Sequence, residues 1–188
     1  YKPQYISPNF KGTVRDFFEI NAQALFTSSF YKSEIFEPMN LKYLLDKKID
    51  NLSGGELQRV AIANSLVQEA DIYLLDEPSA YLDSEQRMIT SRTVRRVIEK
   101  SGKSSMIVDH DVYFIDMISD ALVVFDGEPG VSGHAKGPFS LHEGMNRFLK
   151  DVDITFRRDE DSHRPRVNKP DSYMDRKQRK DGEYYYSL

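Results

Sequence analysis

Apolar residues recur at three- and four-residue steps through "TVRDFFEINAQALF", where Val14, Phe17, Phe18, Ala22, Leu25 and Phe26 follow Thr13. That spacing predicts an amphipathic helix over residues 13–26 with Thr13 as its N-cap. A second short helix is expected in "PMNLKYLLDKKID", with Leu41, Leu44 and Leu45 on one side. Together they form a small helical region ahead of the double glycine Gly54-Gly55. After Asp71 the period changes. "IYLLD", "SMIVDH" and "ALVVFDG" are short apolar runs without polar alternation, separated by the helical stretches "SEQRMITSRTVRRVIEK" and "DVYFIDMIS". Apolar strands alternating with helices are the signature of a parallel sheet covered on both faces, so the fold class is α/β. Near Gly127 the pattern loosens into Gly- and Pro-containing loops. A helix around "LHEGMNRFLK", a strand at "VDITF" and a charged tail follow.

Composition adds boundaries. At 188 residues the chain can bury a sizeable core as one domain, alone or with an appendage. With 30% charged residues, 39% hydrophobic and a formal charge of -4, it has ordinary soluble composition. No window approaches the run of about 18 apolar residues that a membrane span needs, and "YKPQYISPNF" lacks the order of a signal peptide. A cytoplasmic chain without membrane contact is expected. Cysteine is absent, which excludes disulfides, zinc ribbons and iron-sulfur ligation within the chain. The chain opens at Tyr1 without methionine and in mid-motif, so a longer parent is expected. From Arg157 to Lys180 there are nine Lys/Arg against five Asp/Glu, a local +4 that leaves -8 on the remainder. Such a run is either a solvated tail or a contact for RNA phosphates.

Three stretches carry candidate chemistry. In "LSGGELQ", Ser53 and Glu56 form a capping box, which needs no ligand. Gly54 and Gly55 are poor helix formers, at about 1 kcal/mol each in a helix interior. Without Cβ atoms they leave room for a phosphate at the positive end of the helix, so anion binding at Ser53 to Gly55 stands beside the plain cap. In "IYLLDEP", Asp76 and Glu77 fall at the carboxyl end of a buried strand, where ligands sit in parallel α/β sheets. One acid would hold Mg²⁺ through its water shell and the other would orient and deprotonate water; the bland reading is a wet strand end. In "MIVDHD", His110 follows Asp76 by 34 residues that enclose one helix. A right-handed βαβ unit would bring it to the same edge, to sense a phosphate or position water, or to serve structure alone. Asp111 reads as the next helix's N-cap. "SGKSS" is not a phosphate loop, because G-x-x-x-x-G-K-[ST] requires glycine at Val97; it reads as a helix-ending glycine turn. "HEGMN" lacks the second histidine of a zinc-protease helix, and the "NLS" sequon has no support from any export signal.

The order "LSGGELQ", "LLDEPSAYLDSEQR", "VDHD" resembles the ATP-binding cassettes: signature, Walker B with catalytic Glu, D-loop and switch His. The wording "PSAYLDSEQR", "VFDGEPG", "GMNRFLKDVDITFRRD" and "RPRVNK" is similar, over nearly the whole chain, to the second nucleotide-binding domain of subfamily E, the RNase L inhibitor family. The resemblance implies a P-loop NTPase-type parallel sheet with a helical signature subdomain at about residues 10–70. It implies a partial cassette over residues 1–150, with the N-terminal strand and Walker A portion absent, and a hinge-like basic segment over 151–188. Asp76 would hold Mg²⁺, Glu77 and His110 would be catalytic, and Gln4 of a Q-loop would contact Mg²⁺ and water. Ser53, Gly54, Gly55 and Glu56 of the signature and Asp83 of the D-loop would face ATP. Arg157, Arg158, Arg164 and Arg166 would lie near the ribosome.

The family implied is a twin-cassette ATPase that splits ribosomal subunits in recycling, linked to initiation. Its expected partners are the other cassette, the small ribosomal subunit with its rRNA, and release-factor-like proteins. Its iron-sulfur clusters belong to an N-terminal domain outside this chain. Where relatives often place Glu before the switch histidine, this chain has Asp109. Without Walker A the isolated chain is expected to be inactive. Two other readings stand beside this one: an ATPase subunit of a membrane transporter, and a non-catalytic docking module.

Overall fold

The computed structural model of the chain describes residues 1–3, 10–128, 130–158 and 165–186. Contacts divide the chain into two compact units, Tyr1–Ile118 and Ser119–Leu188.

The first unit opens with helical pieces. Thr13 caps α1 (Val14–Asn21): its hydroxyl accepts from the Asp16 N–H, and the Asp16 carboxylate accepts from the Thr13 N–H at 2.8 Å. The single helix expected over 13–26 is broken at Ala22, where φ is -147°. There the Asn21 amide donates to the Phe17 carbonyl, and Gln68 donates to the Asn21 carbonyl at 2.8 Å. A distant glutamine thus terminates the helix, and α2 (Ala24–Thr27) restarts beyond it. After α3 (Ser29–Tyr31) and a π-helical turn at Lys32–Phe36, the second expected helix is only a 3-10 turn, Leu41–Leu44. Asn40 enters that turn at φ 55°, and Leu41, Leu44 and Leu45 are buried.

Helix α4 (Gly54–Val67) leads into β1 (Ile72–Asp76), which pairs in parallel with β2 (Ser104–Val108). The connection between them is α5 (Ser84–Ser101), ended by Gly102 at φ 64°, the glycine turn read from "SGKSS". Tyr73 and Leu75 enter a core with Val60, Leu66, Val94 and Phe114, the last from α6 (Val112–Ile118). The uniformly apolar strands predicted cover on both faces. Within this unit Tyr73 and Leu75 are buried, whereas Ile72, Leu74, Met106 and Val108 are exposed. On the free edge of β1, Lys2 forms a parallel bridge with Leu75.

The second unit departs further from expectation. The run "ALVVFDG", read as a third parallel strand, is β3 (Ala121–Glu128), and it pairs antiparallel with β4 (Ser132–Ser140). Gly127 allows the tight return: its φ is 140°, and a Cβ there would lie 2.1 Å from the Ser132 carbonyl oxygen. Helix α7 (Leu141–Asp151) packs on this hairpin, and Asn146 accepts from the Tyr185 N–H at 2.8 Å. By contacts, residues 119–150 belong with the C-terminal segment, whereas the resemblance implies a partial cassette over 1–150 and a hinge-like segment over 151–188.

Strand β5 (Phe156–Arg158) lies between β6 (Pro165–Val167) and β7 (Tyr185–Tyr186), with α8 (Tyr173–Asp181) before β7. Where described, the charged run is folded and is not a solvated tail. Thr155, Asn168, Asp175 and Gln178 are buried polar residues. Asp175 accepts from the Thr155 hydroxyl, the Asp171 N–H and Arg179, and Asn168 donates to Thr155 at 3.0 Å and to Gln178. The Thr155 hydroxyl above all holds the Asp175 carboxyl below the usual range. Strands of two or three residues joined through scattered buried polar side chains leave no apolar period in the sequence, and this hid the small sheet.

Candidate active site

Strand β1 ends at Asp76, directly opposite Val108 of β2. Beyond it the Glu77 N–H still donates to the Val108 carbonyl at 2.7 Å, and Glu77 then takes φ 44°. A non-glycine residue in this left-handed region costs about 1–2 kcal/mol, so its surroundings must hold it there. Three long-range contacts do so. The Lys2 ammonium donates to the Asp76 carbonyl at 2.6 Å and the Glu77 carbonyl at 3.3 Å. Gln58, on α4, donates to the same Glu77 carbonyl at 2.8 Å. Asp109 accepts from the Ser79 N–H at 3.0 Å, the Ser79 hydroxyl at 2.8 Å and the Asp111 N–H at 2.9 Å, pinning the turn to the end of β2. Lys2 is 1% exposed, and burial lowers its pKa to about 8 against the pull of Asp76, Asp109 and Glu77.

On the solvent side, His110 Nδ1 lies 3.6 Å from Glu77 Oε1, with the histidine side chain 76% exposed. Among the described residues, Asp76 receives one side-chain hydrogen bond, from the Tyr1 hydroxyl at 3.4 Å. Asp76, Glu77 and His110, proposed from sequence, lie together at the ends of two neighbouring parallel strands. Asp111 accepts from the Phe114 N–H at 2.9 Å, as the N-cap of α6, and is paired with Arg87.

The signature segment is built locally. Ser53 Oγ accepts from the Glu56 N–H at 3.3 Å, and Glu56 accepts from the Ser53 N–H at 2.9 Å. The Lys47 ammonium, at 2.6 Å, is the main cause that holds the Glu56 carboxyl below its ordinary pKa. Glu56 is thus committed to the cap. A Cβ on Gly54 would lie 3.0 Å from Tyr81 Cγ, and one on Gly55 would lie 2.8 Å from the Tyr81 carbonyl oxygen. The two glycines therefore have a cause within the chain, the close approach of Tyr81, which itself sits at φ 63°. A cavity of about 350 Å³ opens beside them, lined by Ser53, Gly54, Gly55, Arg59, Tyr81 and Asp83 among others. Asp83 caps α5, accepting from the Gln86 N–H at 2.8 Å.

Gln4 and Arg164 lie outside the described residues. Arg157 and Arg166 face each other across β5 and β6, and Arg157 donates to Asn168 at 3.0 Å. Arg158 is on β5 as well. Sequence reasoning missed Lys2, Gln58 and Asp109 as supports of the acids. Gln58 stands inside "GGELQ" and Asp109 beside the histidine, but spacing says nothing about which carbonyl or N–H they meet.

The donor set fits a magnesium-nucleotide complex. Among the described residues no group of three His, Cys, Asp or Glu could hold a metal by itself. Asp76 is a hard oxygen donor, and among the described residues no Lys or Arg side chain pairs with its carboxylate. Mg²⁺ is ordinarily held by one or two carboxylates together with substrate phosphates and water, which is what one available aspartate provides. The 14-residue α4 presents the Gly54 and Gly55 N–H groups at its positive end.

The chain is similar to known proteins. The ABC transporter family model matches residues 5–80. Translation initiation factor RLI1 of Chaetomium thermophilum is 48% identical over 98% of this chain and 30% of that protein. The archaeal ribosome recycling factor aABCE1, solved with the archaeal ribosomal stalk protein aP1, is 53% identical, with a TM-score of 0.92 over 99% of this chain and 36% of that one. ABCE1 in a model of ribosome-bound archaeal Pelota and ABCE1 is 54% identical, with a TM-score of 0.92 over 99% of this chain and 31% of that one. The chain spans about 30% of the length of RLI1 from Chaetomium thermophilum and from Saccharomyces cerevisiae.

Proposed function

We propose, from the premise that this chain belongs to the RNase L inhibitor family of ATP-binding cassettes, subfamily E, that it is part of a cytoplasmic twin-cassette ATPase that splits ribosomal subunits. The observation that carries this reading is the meeting of Asp76, Glu77 and His110 at the ends of β1 and β2, with Glu77 and His110 3.6 Å apart. Asp76 would hold Mg²⁺, with Gln4 as a further contact, and the ion would neutralise charge on the phosphates. Glu77 accepts the proton of the attacking water and turns it towards the terminal phosphate, and His110 donates a hydrogen bond on the phosphate side. Ser53, Gly54 and Gly55 hold the terminal phosphate of ATP carried by the other cassette, with Asp83 and the capped Glu56 beside them.

The relatives' association with the ribosomal stalk protein and with Pelota on the ribosome supports the ribosome and release-factor-like proteins as partners, and we infer the small subunit with its rRNA as the ribosomal side of that contact. Arg157, Arg158, Arg164 and Arg166 are candidates for the rRNA contact, and any iron-sulfur clusters belong outside this cysteine-free chain. Among the described residues no helix is long and apolar enough to cross a membrane. The 188 residues hold no G-x-x-x-x-G-K-[ST] loop. Alone they are expected to bind ATP weakly and turn none over.

In the parent protein, Glu77→Gln is expected to slow single-turnover hydrolysis in the site holding Glu77 by about 100-fold or more. Bound nucleotide should then be recovered as ATP, with the protein retained on the small subunit. Recovery of ADP at the wild-type rate, or no binding to ribosomes, would sink the reading.

A further inference from the structure

We propose that Lys2 is a positioning residue for the acid turn. Its ammonium holds the Asp76 and Glu77 carbonyls and so keeps Glu77 in the left-handed conformation that sets its carboxylate beside His110. The inference rests on the ATPase reading for its consequence, but its geometry stands without it.

The backbone of Lys2 is already fixed by strand pairing, with its N–H on the Leu74 carbonyl at 2.8 Å and its carbonyl accepting from the Asp76 N–H at 3.0 Å. From that anchor the side chain runs along β1 to the two carbonyls at the end of the strand. Among the described residues no strand partner donates to either oxygen, and the Lys2 ammonium reaches both. Gln58, also 1% exposed, takes one side of the Glu77 carbonyl, and the Ala80 N–H donates to it at 3.2 Å. The ammonium is the group that spans both oxygens, and it therefore fixes the peptide between Asp76 and Glu77 rather than one end of it.

Burying an ammonium is costly, and an apolar chain of equal length would fill the same space without that cost. A lysine kept for packing alone is thus the poorer solution. Lys2 also stands two residues before Gln4, so the same side chain ties the segment leading to the expected magnesium contact to the acids.

The test compares Lys2→Met with Lys2→Cys before and after aminoethylation, which rebuilds the ammonium on a thioether and is selective because the chain has no cysteine of its own. Hydrogen exchange on the nucleotide-free 188-residue chain reads the Glu77, Ser79 and Ala80 amides. Lys2→Met is expected to raise their exchange about 10-fold or more, leave other protected amides and the unfolding midpoint unlowered, and be reversed by aminoethylation. In the parent protein, single-turnover hydrolysis should slow about 10-fold, with ATP affinity within about twofold. Unchanged exchange at the three amides overturns the inference whether or not the chain serves an ATPase. A general rise in exchange with a lowered midpoint overturns it in favour of plain structural support. Localised loosening with unchanged hydrolysis overturns the claim that the position of the turn matters to the reaction.

Discussion

Ser53 to Glu56 is shaped by its near neighbours, whereas Asp76 and Glu77 are shaped by residues from across the first unit. At the signature, the capping box closes within four residues and Lys47 adds one ion pair. At the acid turn, Lys2, Gln58 and Asp109 approach from three separate parts of the sequence. The first arrangement survives small shifts between elements, because its partners travel together. The second is only as good as the register of β1 against β2 and of both against α4.

That contrast predicts unequal costs for removing one polar side chain from each place. Asp109→Ala strips three hydrogen bonds and leaves the N–H of Ser79, itself 2% exposed, without a partner. A loss of about 2–4 kcal/mol is expected. Ser53→Ala removes one cap, worth about 1 kcal/mol. Urea unfolding of both variants checks the ranking, and an Asp109→Ala cost below that of Ser53→Ala breaks the comparison.

The next test concerns where the local half meets the distant one. On helix propensity, Gly55→Ala in α4 would gain up to about 1 kcal/mol. The added Cβ meets the Tyr81 carbonyl oxygen at 2.8 Å, and Tyr81 is already in the left-handed region and cannot retreat freely. A net loss of about 2 kcal/mol is expected from the overpacking. A Gly55→Ala variant as stable as the parent would mean that the turn after Glu77 is softer than its hydrogen bonds suggest.

The same contrast explains what the sequence could tell. Thr13 and Asp16, Ser53 and Glu56, and Gly102 announced their roles because each acts on backbone within a few residues. The strand order of β1 and β2 was readable from apolar runs around one helix, and with it the meeting of Asp76, Glu77 and His110. The break at Ala22 was not readable, because the side chain that takes up the freed Asn21 carbonyl is Gln68, at the C-cap of α4. The antiparallel return of β3 was missed, because an apolar run does not say which neighbour it will pair with. Lys2 was passed over for a related reason: nothing in its neighbourhood marks a lysine that will be buried.

The smallest effect on stability is expected at Gly54, and it decides what the signature glycines are for. A Cβ there meets the Tyr81 ring at 3.0–3.1 Å, and Tyr81 is 67% exposed, so the ring can swing aside. Gly54→Ala should therefore change stability by no more than about 0.5 kcal/mol. If the Gly54 N–H receives a phosphate carried by the other cassette, the extra methyl and the displaced Tyr81 crowd that approach, and single-turnover hydrolysis in the opposite site should fall while folding does not. If hydrolysis there is unchanged, Gly54 accommodates Tyr81 and nothing else, and the first turn of α4 is a cap that happens to adjoin a cavity. The pairing of Gly54→Ala with Gly55→Ala separates these cases, because the methyl at residue 55 meets backbone and the one at residue 54 meets a side chain with room to move.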